Sequence, residues 1–267
     1  MTATSTSTEP GGPTMKLLAL PLLLLPGLAA ASDCKHEENR QLALDLDGIS
    51  QVRFEVTAHD LRVDGVAAEK AEPLRIRACA SDPDYLPQLV VESSRRGDTL
   101  VVRIERKGRT SGIFFSPTYA NLDVQARLPA DLAYDIDLGS GDVEINGVAT
   151  LSADVGSGDL DARSIAGAVT ARVGSGDIEL DDIGSLDLRA VGSGDLDASR
   201  IRGDVDVGSL GSGDITLDGV GGSVRVGRIG SGDLDVDDVA GDLVVGRLGS
   251  GDVDHGRVRG KVSVPKD

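Results

Sequence analysis

The stretch GSGDIELDDIGSLDLRAV, residues 174–191, is one copy of a unit that fills the second half of this sequence. Its first four residues, Gly-Ser-Gly-Asp, occur seven times, beginning at Gly139, Gly156, Gly174, Gly192, Gly211, Gly230 and Gly249. The steps between copies are 17, 18, 18, 19, 19 and 19 residues. A nearly fixed period of this length indicates a repeat architecture in which each copy stacks on the next.

Aliphatic residues recur in a fixed frame within each copy. In 174–191 they are Ile178, Leu180, Ile183, Leu186, Leu188 and Val191. This alternation predicts two short strands per copy with a turn between them. One such pair is marginal in water, but stacked copies cover one another's apolar rows. The sequence therefore predicts an all-β fold, a single-stranded parallel β-solenoid (β-helix) with coils of about 18–19 residues.

The repeated tetrapeptide is interpreted first as a structural corner. Glycine reaches backbone angles with φ > 0, which a sharp turn can require. The serine hydroxyl and the aspartate carboxylate can accept backbone N–H bonds that the turn leaves unpaired. The predicted turn glycines are Gly139, Gly141, Gly156, Gly158, Gly174, Gly176, Gly192, Gly194, Gly211, Gly213, Gly230, Gly232, Gly249 and Gly251.

Stacking would also align the motif aspartates in one column, with neighbours about 4.8 Å apart. These are Asp142, Asp159, Asp177, Asp195, Asp214, Asp233 and Asp252. A second column, two residues further on, would contain Glu144, Asp161, Glu179, Asp197, Asp235 and Asp254, interrupted by Thr216.

Adjacent carboxylates in such columns repel one another, and Ca²⁺ between coils would relieve the repulsion by binding their oxygens. The seven motif aspartates are therefore candidate Ca²⁺ ligands, although the fold requires no cofactor. Alternatively, arginines neutralise part of this charge; the candidates are Arg163, Arg172, Arg189, Arg200, Arg225, Arg228 and Arg247.

The acidic balance of the chain restricts its partners. The formal net charge is −17, and from Gly139 onward there are 24 acidic and 12 basic residues. Such a surface argues against nucleic acid and against anionic lipid headgroups, since both need positive charge on the protein. The expected partner is a protein or a glycan, and the sequence leaves the oligomeric state open.

Signals for an enzyme are weak. His36, His59 and His255 are widely separated, and the sequence has neither a phosphate-binding loop nor a nucleophile elbow. The repeats contain no aromatic residue on which a sugar could stack. No catalytic residues are predicted, and a polysaccharide-active β-helix enzyme remains the second alternative, after a calcium-binding repeat module.

The N-terminus has the plan of a secretory leader. Lys16 precedes an apolar run over 17–28, which small residues at 29–31 follow, so cleavage is expected near Ala31. Translation could begin at Met1 or Met15. The run is short for a membrane span, although an uncleaved anchor is the alternative. The protein is therefore predicted to be exported, to the periplasm or the cell surface.

The two cysteines, Cys34 and Cys79, are expected to form a disulfide in an oxidising compartment. Closing a loop of this length would stabilise the fold by roughly 4 kcal/mol at most. Two buried free thiols are the alternative.

Between the leader (1–31) and the Gly-Ser-Gly-Asp repeats (139–267), residues 32–138 are interpreted as a less regular β region that supplies the first irregular coils and a cap. Alternating patterns predict strands over 41–46, 52–56, 74–78, 89–93, 99–104 and 121–128, with a hairpin turn at Gly97-Asp98. The apolar cluster Ile113-Phe114-Phe115 with Tyr119 either docks a partner or covers the edge of the first coils.

The last coil is basic, with His255, Arg257, Arg259, Lys261 and Lys266. Such an end could act as a cap that resists end-to-end stacking. It could equally favour head-to-tail association with the acidic body of another copy.

Residues 40–264 resemble a known bacterial family. The segment Leu128-Pro129, an alternating strand, then Gly-Ser-Gly-Asp-Val-Glu-Ile and serial Gly-Asp-apolar-x-apolar units are similar to the adhesin-like family DUF4097. Its relatives include autotransporter-adhesin head domains and the toast-rack domains of envelope-stress systems. The resemblance implies a parallel β-solenoid in the cell envelope and transfers no catalytic residues.

Overall fold

The computed structural model describes residues 1–2, 34–108 and 118–265. The first seven strands are β1 (His36–Leu42), β2 (Gln51–Ala58), β3 (Asp60–Val66), β4 (Leu74–Ala80), β5 (Leu89–Arg96), β6 (Thr99–Arg106) and β7 (Ala120–Pro129). Two short 3₁₀ helices, Ala68–Lys70 and Pro83–Gln88, flank β4. No helix of the described residues is long and apolar enough to cross a membrane.

The remaining strands belong mainly to the repeats. They are β8 (Ala133–Ser140), β9 (Asp142–Asn146), β10 (Thr150–Val155), β11 (Asp159–Val173), β12 (Ile178–Val191), β13 (Leu196–Ile201), β14 (Val205–Leu210), β15 (Ile215–Val220), β16 (Val224–Ile229), β17 (Leu234–Val239), β18 (Leu243–Val245), β19 (Val253–His255) and β20 (Val262–Ser263).

The strands form two faces of a parallel β-solenoid, as predicted. Face A runs in the order β1-β4-β7-β3-β9-β11-β12-β13-β15-β17-β19. Face B runs in the order β5-β6-β2-β8-β10-β11-β12-β14-β16-β18-β20. The long strands β11 and β12 continue around a corner, so each contributes to both faces. Every coil, or rung, therefore supplies one segment to each face.

The core is the continuous aliphatic ladder that the repeat frame predicts. The six frame positions of 174–191 are each at most 2% exposed. Equivalent residues in the other rungs join them in one cluster that extends from Ile49 to Val245. Burying each large aliphatic side chain contributes roughly 1.5–3 kcal/mol, which offsets the entropy of ordering short strands.

The rungs do not follow one another in sequence order at the N-terminal end. The rung formed by β2 and β3 lies between the rung of β6 and β7 and the rung of β8 and β9. Strands β1, β4 and β5 join by antiparallel pairing and close this end of both faces. The predicted irregular region is thus two further rungs and an antiparallel cap.

Several sequence-based predictions for this region are confirmed, and two details are wrong. The predicted hairpin is present, with Arg96 opposite Thr99 across the Gly97-Asp98 turn. Strand β3, which the sequence reading missed, buries Leu61 and Val63 by strict alternation. The strand predicted over 41–46 ends at Leu42, because the chain turns at Gly48 with φ of 67° to enter β2.

The predicted boundary at residues 138/139 falls inside β8, and the core continues across it. Apart from Met1 and Thr2, the predicted leader and its cleavage site lie outside the described residues. So does the Ile113-Phe114-Phe115 cluster. Its neighbour Tyr119 is described, and its hydroxyl accepts a hydrogen bond of 2.9 Å from the Lys35 N–H.

A disulfide joins Cys34 to Cys79, whose Cα atoms are 5.6 Å apart. Cys79 lies in β4, and Cys34 precedes β1, the strand paired with β4. The bond therefore cross-links the residue that leads into β1 to strand β4 within the antiparallel cap.

The growth of the repeat from 17 to 19 residues has two structural causes. One extra residue lies in the turn from face A to face B: it is present in β11, where residues 165–168 face only 183–185 of β12, and again from β14 onward, where Leu186 pairs with Val205. A second enters face B, where Ala171 pairs with Leu188 but Arg172 pairs with Ala190, so that Arg189 has no opposite residue. Gly208, Gly227 and Gly246 occupy the same place in later rungs, and we call these four positions the bulge column.

Candidate functional site

Two acidic columns run along face A at the predicted positions. In the second column, Asp161 pairs with both Glu144 and Glu179, and the pairing continues through Asp197, Thr216, Asp235 and Asp254. The motif aspartates form the first column, starting with Asp142 opposite Asp159. The column also extends one rung further than predicted, because Asp60 of β3 lies next to Asp142.

The carboxylates of the first column connect successive rungs. The N–H of Asp195 donates to Oδ1 of Asp177 at 3.0 Å, and the N–H of Asp214 donates to Oδ1 of Asp195 at 2.9 Å. The same bond recurs at Asp177, Asp233 and Asp252, with lengths of 3.3, 2.9 and 2.8 Å. These aspartates therefore have a structural task that requires no bound ion.

The motif serines do not play the acceptor role predicted for them. In the described chain, Ser250 donates its hydroxyl to Oγ of Ser231 at 3.2 Å, and Ser140 donates to the Thr57 carbonyl at 3.3 Å. No motif serine in the described residues accepts a backbone N–H. The reason is that the aspartate carboxylate already reaches the backbone N–H of the next rung.

The glycines are required for a different reason from the one predicted. Of the fourteen motif glycines, only Gly141 has a left-handed φ, at 106°. At the second glycine of each motif, an added Cβ would lie between 1.8 and 2.4 Å from the carbonyl oxygen of the preceding rung. The first glycine is nearly as close, at 2.3–2.8 Å. Close backbone approach between rungs therefore excludes every side chain at these corners.

The left-handed conformation occurs instead in a column at the other edge of face A. Its members, one per rung, are Gly147, Ser164, Asp182, Arg200, Gly219, Asp238 and Arg257, with φ between 44° and 73°. Each precedes the aliphatic residue that begins the turn toward face B, such as Ile165 or Val220. We call this set the left-handed column, and five of its seven members are not glycine.

A shallow groove of about 680 Å³ follows the two acidic columns over the first rungs of face A. Partial burial raises the pKa of Asp142, and the carboxylates of Asp60 and Asp159 raise it further. Burial also raises the pKa of Asp161, although Arg163 opposes that change. Within the described residues, no three His, Cys, Asp or Glu side chains converge as a metal site.

The arginines proposed to neutralise this charge divide into two groups. Arg163 contacts Asp161 and Glu179, Arg200 contacts Asp181, and Arg225 contacts Asp204 at 3.3 Å. The other four, Arg172, Arg189, Arg228 and Arg247, are exposed, and their side chains make no hydrogen bond or ion pair with any described residue. The prediction of neutralising arginines is thus correct only for the first group.

The three histidines lie in different parts of the fold. His36 is in β1 and His255 in β19, at the two ends of face A, whereas His59 is buried between β2 and β3. Nδ1 of His59 accepts the Leu122 N–H at 3.3 Å. Burial, with a smaller effect of the Arg106 charge, lowers the pKa of His59 to about 4, so it is neutral at pH 7.

His59 marks a corner that sequence analysis missed. Strand β2 pairs with β8 so that Ala58 lies opposite Ser140, which aligns Thr57-Ala58-His59-Asp60 with the first Gly-Ser-Gly-Asp. Only the aspartate is retained, and the signal that remains is its position one residue before the buried Leu61 and three before the buried Val63, as in the repeats.

Comparison with known proteins finds only distant structural neighbours. No family model matches the chain. No curated protein matches it either. A "putative adhesin" from Bacteroides fragilis is 16% identical, with 86% of this chain and 97% of that chain covered and a TM-score of 0.48. A "putative lipid binding protein" from Parabacteroides distasonis is 15% identical, with 86% and 98% covered and a TM-score of 0.40.

A "putative cell adhesion protein" from Clostridium sporogenes is 12% identical, with 85% and 99% covered and a TM-score of 0.31. With TM-scores below 0.5, these similarities carry no conclusion about what this chain binds. Membership of the DUF4097 family stays a prediction.

Proposed function

We propose that this chain is an exported, non-enzymatic binding scaffold of the cell envelope, which holds a partner on the flat outer surfaces of its solenoid. The observation that carries the proposal is the arrangement of polar side chains in straight columns, one residue per rung, on a continuously buried core. Such columns suit an extended partner, because they offer the same group repeatedly along one direction.

Two further features support this proposal. The Cys34–Cys79 disulfide suits an oxidising compartment outside the cytoplasm. Among the described residues, the one buried histidine, His59, accepts a backbone N–H in the core. The charged groups repeat along the columns instead of converging as a catalytic set does.

Export and binding can be tested together. The full sequence, expressed in a Gram-negative host, should appear outside the cytoplasm with a mature N-terminus at Ser32, and deletion of residues 15–31 should retain it inside. The mature chain, immobilised, should recover a reproducible protein or glycan from envelope extract. Cytoplasmic retention of the full sequence would overturn export, and empty recoveries would overturn the scaffold.

Calcium binding along the acidic columns is a second candidate. The observation that favours it is the groove in which carboxylates of adjacent rungs raise the pKa of Asp142 and Asp161. Thermal melting with millimolar Ca²⁺ and with chelator tests it, using the triple variant Asp177→Asn, Asp195→Asn and Asp214→Asn. Asparagine keeps the acceptor for the inter-rung bond, so only a loss of calcium-dependent melting would indicate ligation.

If the columns bind no cation, the melting temperature should not respond to Ca²⁺, and the triple variant should be as stable as the wild type or more so. Neighbouring carboxylates in a column are about 4.8 Å apart, so removing three of their negative charges reduces the repulsion within the column.

A further inference from the structure

Face B carries exposed arginines that have no partner in a chain with a large excess of carboxylates. The sequence has 44 acidic and 27 basic residues. Even so, Arg172, Arg189, Arg228 and Arg247 contact no carboxylate among the described residues. Arg163, Arg200 and Arg202, at face A and its edge, are all paired. Four guanidinium groups without a carboxylate partner on an acidic protein indicate a surface that can bind an anion from outside the chain.

The strand register places three of these arginines along one line, and Arg189 in the bulge column beside it. Arg172 pairs with Ala190 in the next rung, and Ser209 pairs with Arg228. The Ile229 N–H donates to the Arg247 carbonyl at 2.9 Å, which fixes the following rung. The line therefore reads Arg172, Ala190, Ser209, Arg228 and Arg247, at a rung spacing of about 4.8 Å.

The bulge column lies beside this line and is flat beyond Arg189. A Cβ at Gly208 would be 2.4 Å from the Arg189 carbonyl oxygen, so a side chain there is excluded. A Cβ at Gly227 would be 2.6 Å from the Gly208 carbonyl oxygen, and a Cβ at Gly246 would be 2.7 Å from the Gly227 carbonyl oxygen. The guanidinium groups thus flank a strip of bare backbone that an extended chain can approach closely.

The surface formed by this line and the bulge column has a groove at one end, and acidic residues bound it. A groove of about 560 Å³ is lined by Arg172 and Arg189 together with the small residues Ala153, Ala171 and Ala190. Asp154, which pairs with Arg172 in the strand register and ends the line on this side, also lines the groove together with Asp135, which Arg53 contacts at 3.1 Å. On the other side of the bulge column, Arg225 is held by Asp204 and Asp206.

We propose that this surface, the arginine strip, binds a linear acidic polysaccharide that lies along the solenoid axis. The proposal rests on the proposed scaffold function and gives it a face and a partner class. A carboxylate accepts two parallel hydrogen bonds from one guanidinium group. A polymer with one carboxylate per sugar presents such groups at intervals comparable to the rung spacing. Densely charged nucleic acid and anionic membranes are disfavoured, because the rest of the protein repels them.

The experiment measures binding of the mature chain to polygalacturonate and to its fully methyl-esterified, neutral form. The wild type should bind the acid form in a salt-dependent manner and the ester not at all. The variant R172Q/R189Q/R228Q/R247Q should bind at least about tenfold more weakly, since it removes every unpaired guanidinium group of the strip. It should melt like the wild type, because these exposed side chains make no hydrogen bond or ion pair with any described residue.

The matched control is R163Q/R200Q/R202Q/R257Q, which removes the same charge from four paired arginines at face A and its edge, including Arg257, which contacts Asp237. It should bind polygalacturonate within about twofold of the wild type, because surface ion pairs contribute little to stability or to this site. An equal loss in both variants, or equal binding of the ester, would overturn the assignment of the strip.

Three further outcomes separate the strip from the scaffold and from other partners. Tighter, arginine-dependent binding to duplex DNA or to phosphatidylglycerol vesicles would show that the partner class is wrong. Recovery of the same envelope partner by the wild type and the quadruple variant would overturn the strip and leave the scaffold standing. A wild type that binds neither polygalacturonate nor any component of the extract would contradict both.

Discussion

The two edges of face A turn the chain in different ways. At the Gly-Ser-Gly-Asp edge, the backbone has ordinary angles at nearly every glycine, yet no side chain fits because the carbonyl of the preceding rung is too close. At the edge of the left-handed column, the backbone has φ values that suit glycine, yet Ser164, Asp182, Arg200, Asp238 and Arg257 occupy it.

Space accounts for the difference between the edges. The nearest atoms to an added Cβ at Gly219, in the left-handed column, are 3.7 Å away, whereas at Gly194 one is at 1.8 Å. A left-handed angle destabilises an ordinary residue by only about 1–2 kcal/mol, which a rung with six buried aliphatic residues tolerates. A clash with backbone in the middle of a stack cannot be relieved locally, so only the first edge shows an invariant motif along the chain.

The largest effect is expected from alanine at the crowded edge. Gly194→Ala places a Cβ 1.8 Å from the carbonyl oxygen of Gly176, so the rungs must separate and lose hydrogen bonds. We expect the free energy of unfolding to fall by about 3 kcal/mol or more. Urea denaturation followed by circular dichroism measures it.

Gly219→Ala is the matched control for this change. It adds the same methyl group in open space at a φ of 73°, and should destabilise by only about 1 kcal/mol. Equal losses for the two variants would show that backbone angle, and not rung contact, determines both edges.

The corner at His59 should respond to pH in a way that the glycine corners do not. Its pKa in the folded protein is about 4, below the ordinary value of 6.5, so the unfolded chain takes up the proton first as the pH falls. The contribution of neutral His59 to the free energy of unfolding is complete above pH 6.5 and is lost as the pH falls toward 4. Between pH 7 and pH 5 it decreases by about 2 kcal/mol.

His59→Asn keeps an acceptor for the Leu122 N–H and cannot be protonated in this range. Stability measured at pH 7 and pH 5 should fall less in His59→Asn than in the wild type. Parallel slopes for His59→Asn and the wild type would refute the burial argument.

A moderate effect is expected from the aspartate ladder of the Gly-Ser-Gly-Asp edge. Asp195→Ala removes the acceptor of the Asp214 N–H and should lower the free energy of unfolding by about 1 kcal/mol, whereas Asp195→Asn should retain most of it. Asp218→Ala, at an exposed position that accepts no hydrogen bond in the described structure, should be neutral. If Asp195→Ala and Asp218→Ala are equally stable, the ladder contributes nothing.

The features that recur in every rung could be predicted from the sequence, whereas the features that occur in only one rung could not. The period and the aliphatic frame predict the solenoid, both acidic columns and the buried positions, because each copy restates the same pattern. Strand β3 and the His59 corner were missed for two reasons. That rung retains only the aspartate of the motif, and its neighbours in the stack are the rungs of β6–β7 and β8–β9, not the segment that follows it in sequence.

The arginine strip was also beyond the sequence. Arg163 and Arg172 occupy similar strand positions, and only the structure shows that Arg163 pairs with Asp161, whereas the side chain of Arg172, although next to Asp154 in the strand register, makes no ion pair. The predicted reason for the motif glycines, a left-handed turn, was wrong for a related cause. A close approach between residues about 18 positions apart in sequence leaves no local signal that distinguishes it from a left-handed turn.

The smallest effect, and the only gain in stability, should come from the open edge. Ser164 has a φ of 57° and makes no hydrogen bond through its side chain in the described structure, so Ser164→Gly relieves an unfavourable angle without removing a contact. The greater freedom of glycine in the unfolded chain offsets part of this, leaving an expected gain of about 0.5 kcal/mol. The same change at Arg200 also removes the contact with Asp181, and should gain less. Thermal melting of the two variants against Gly219→Ala places all three on one scale, and a loss of stability in Ser164→Gly would mean that the left-handed column is not strained.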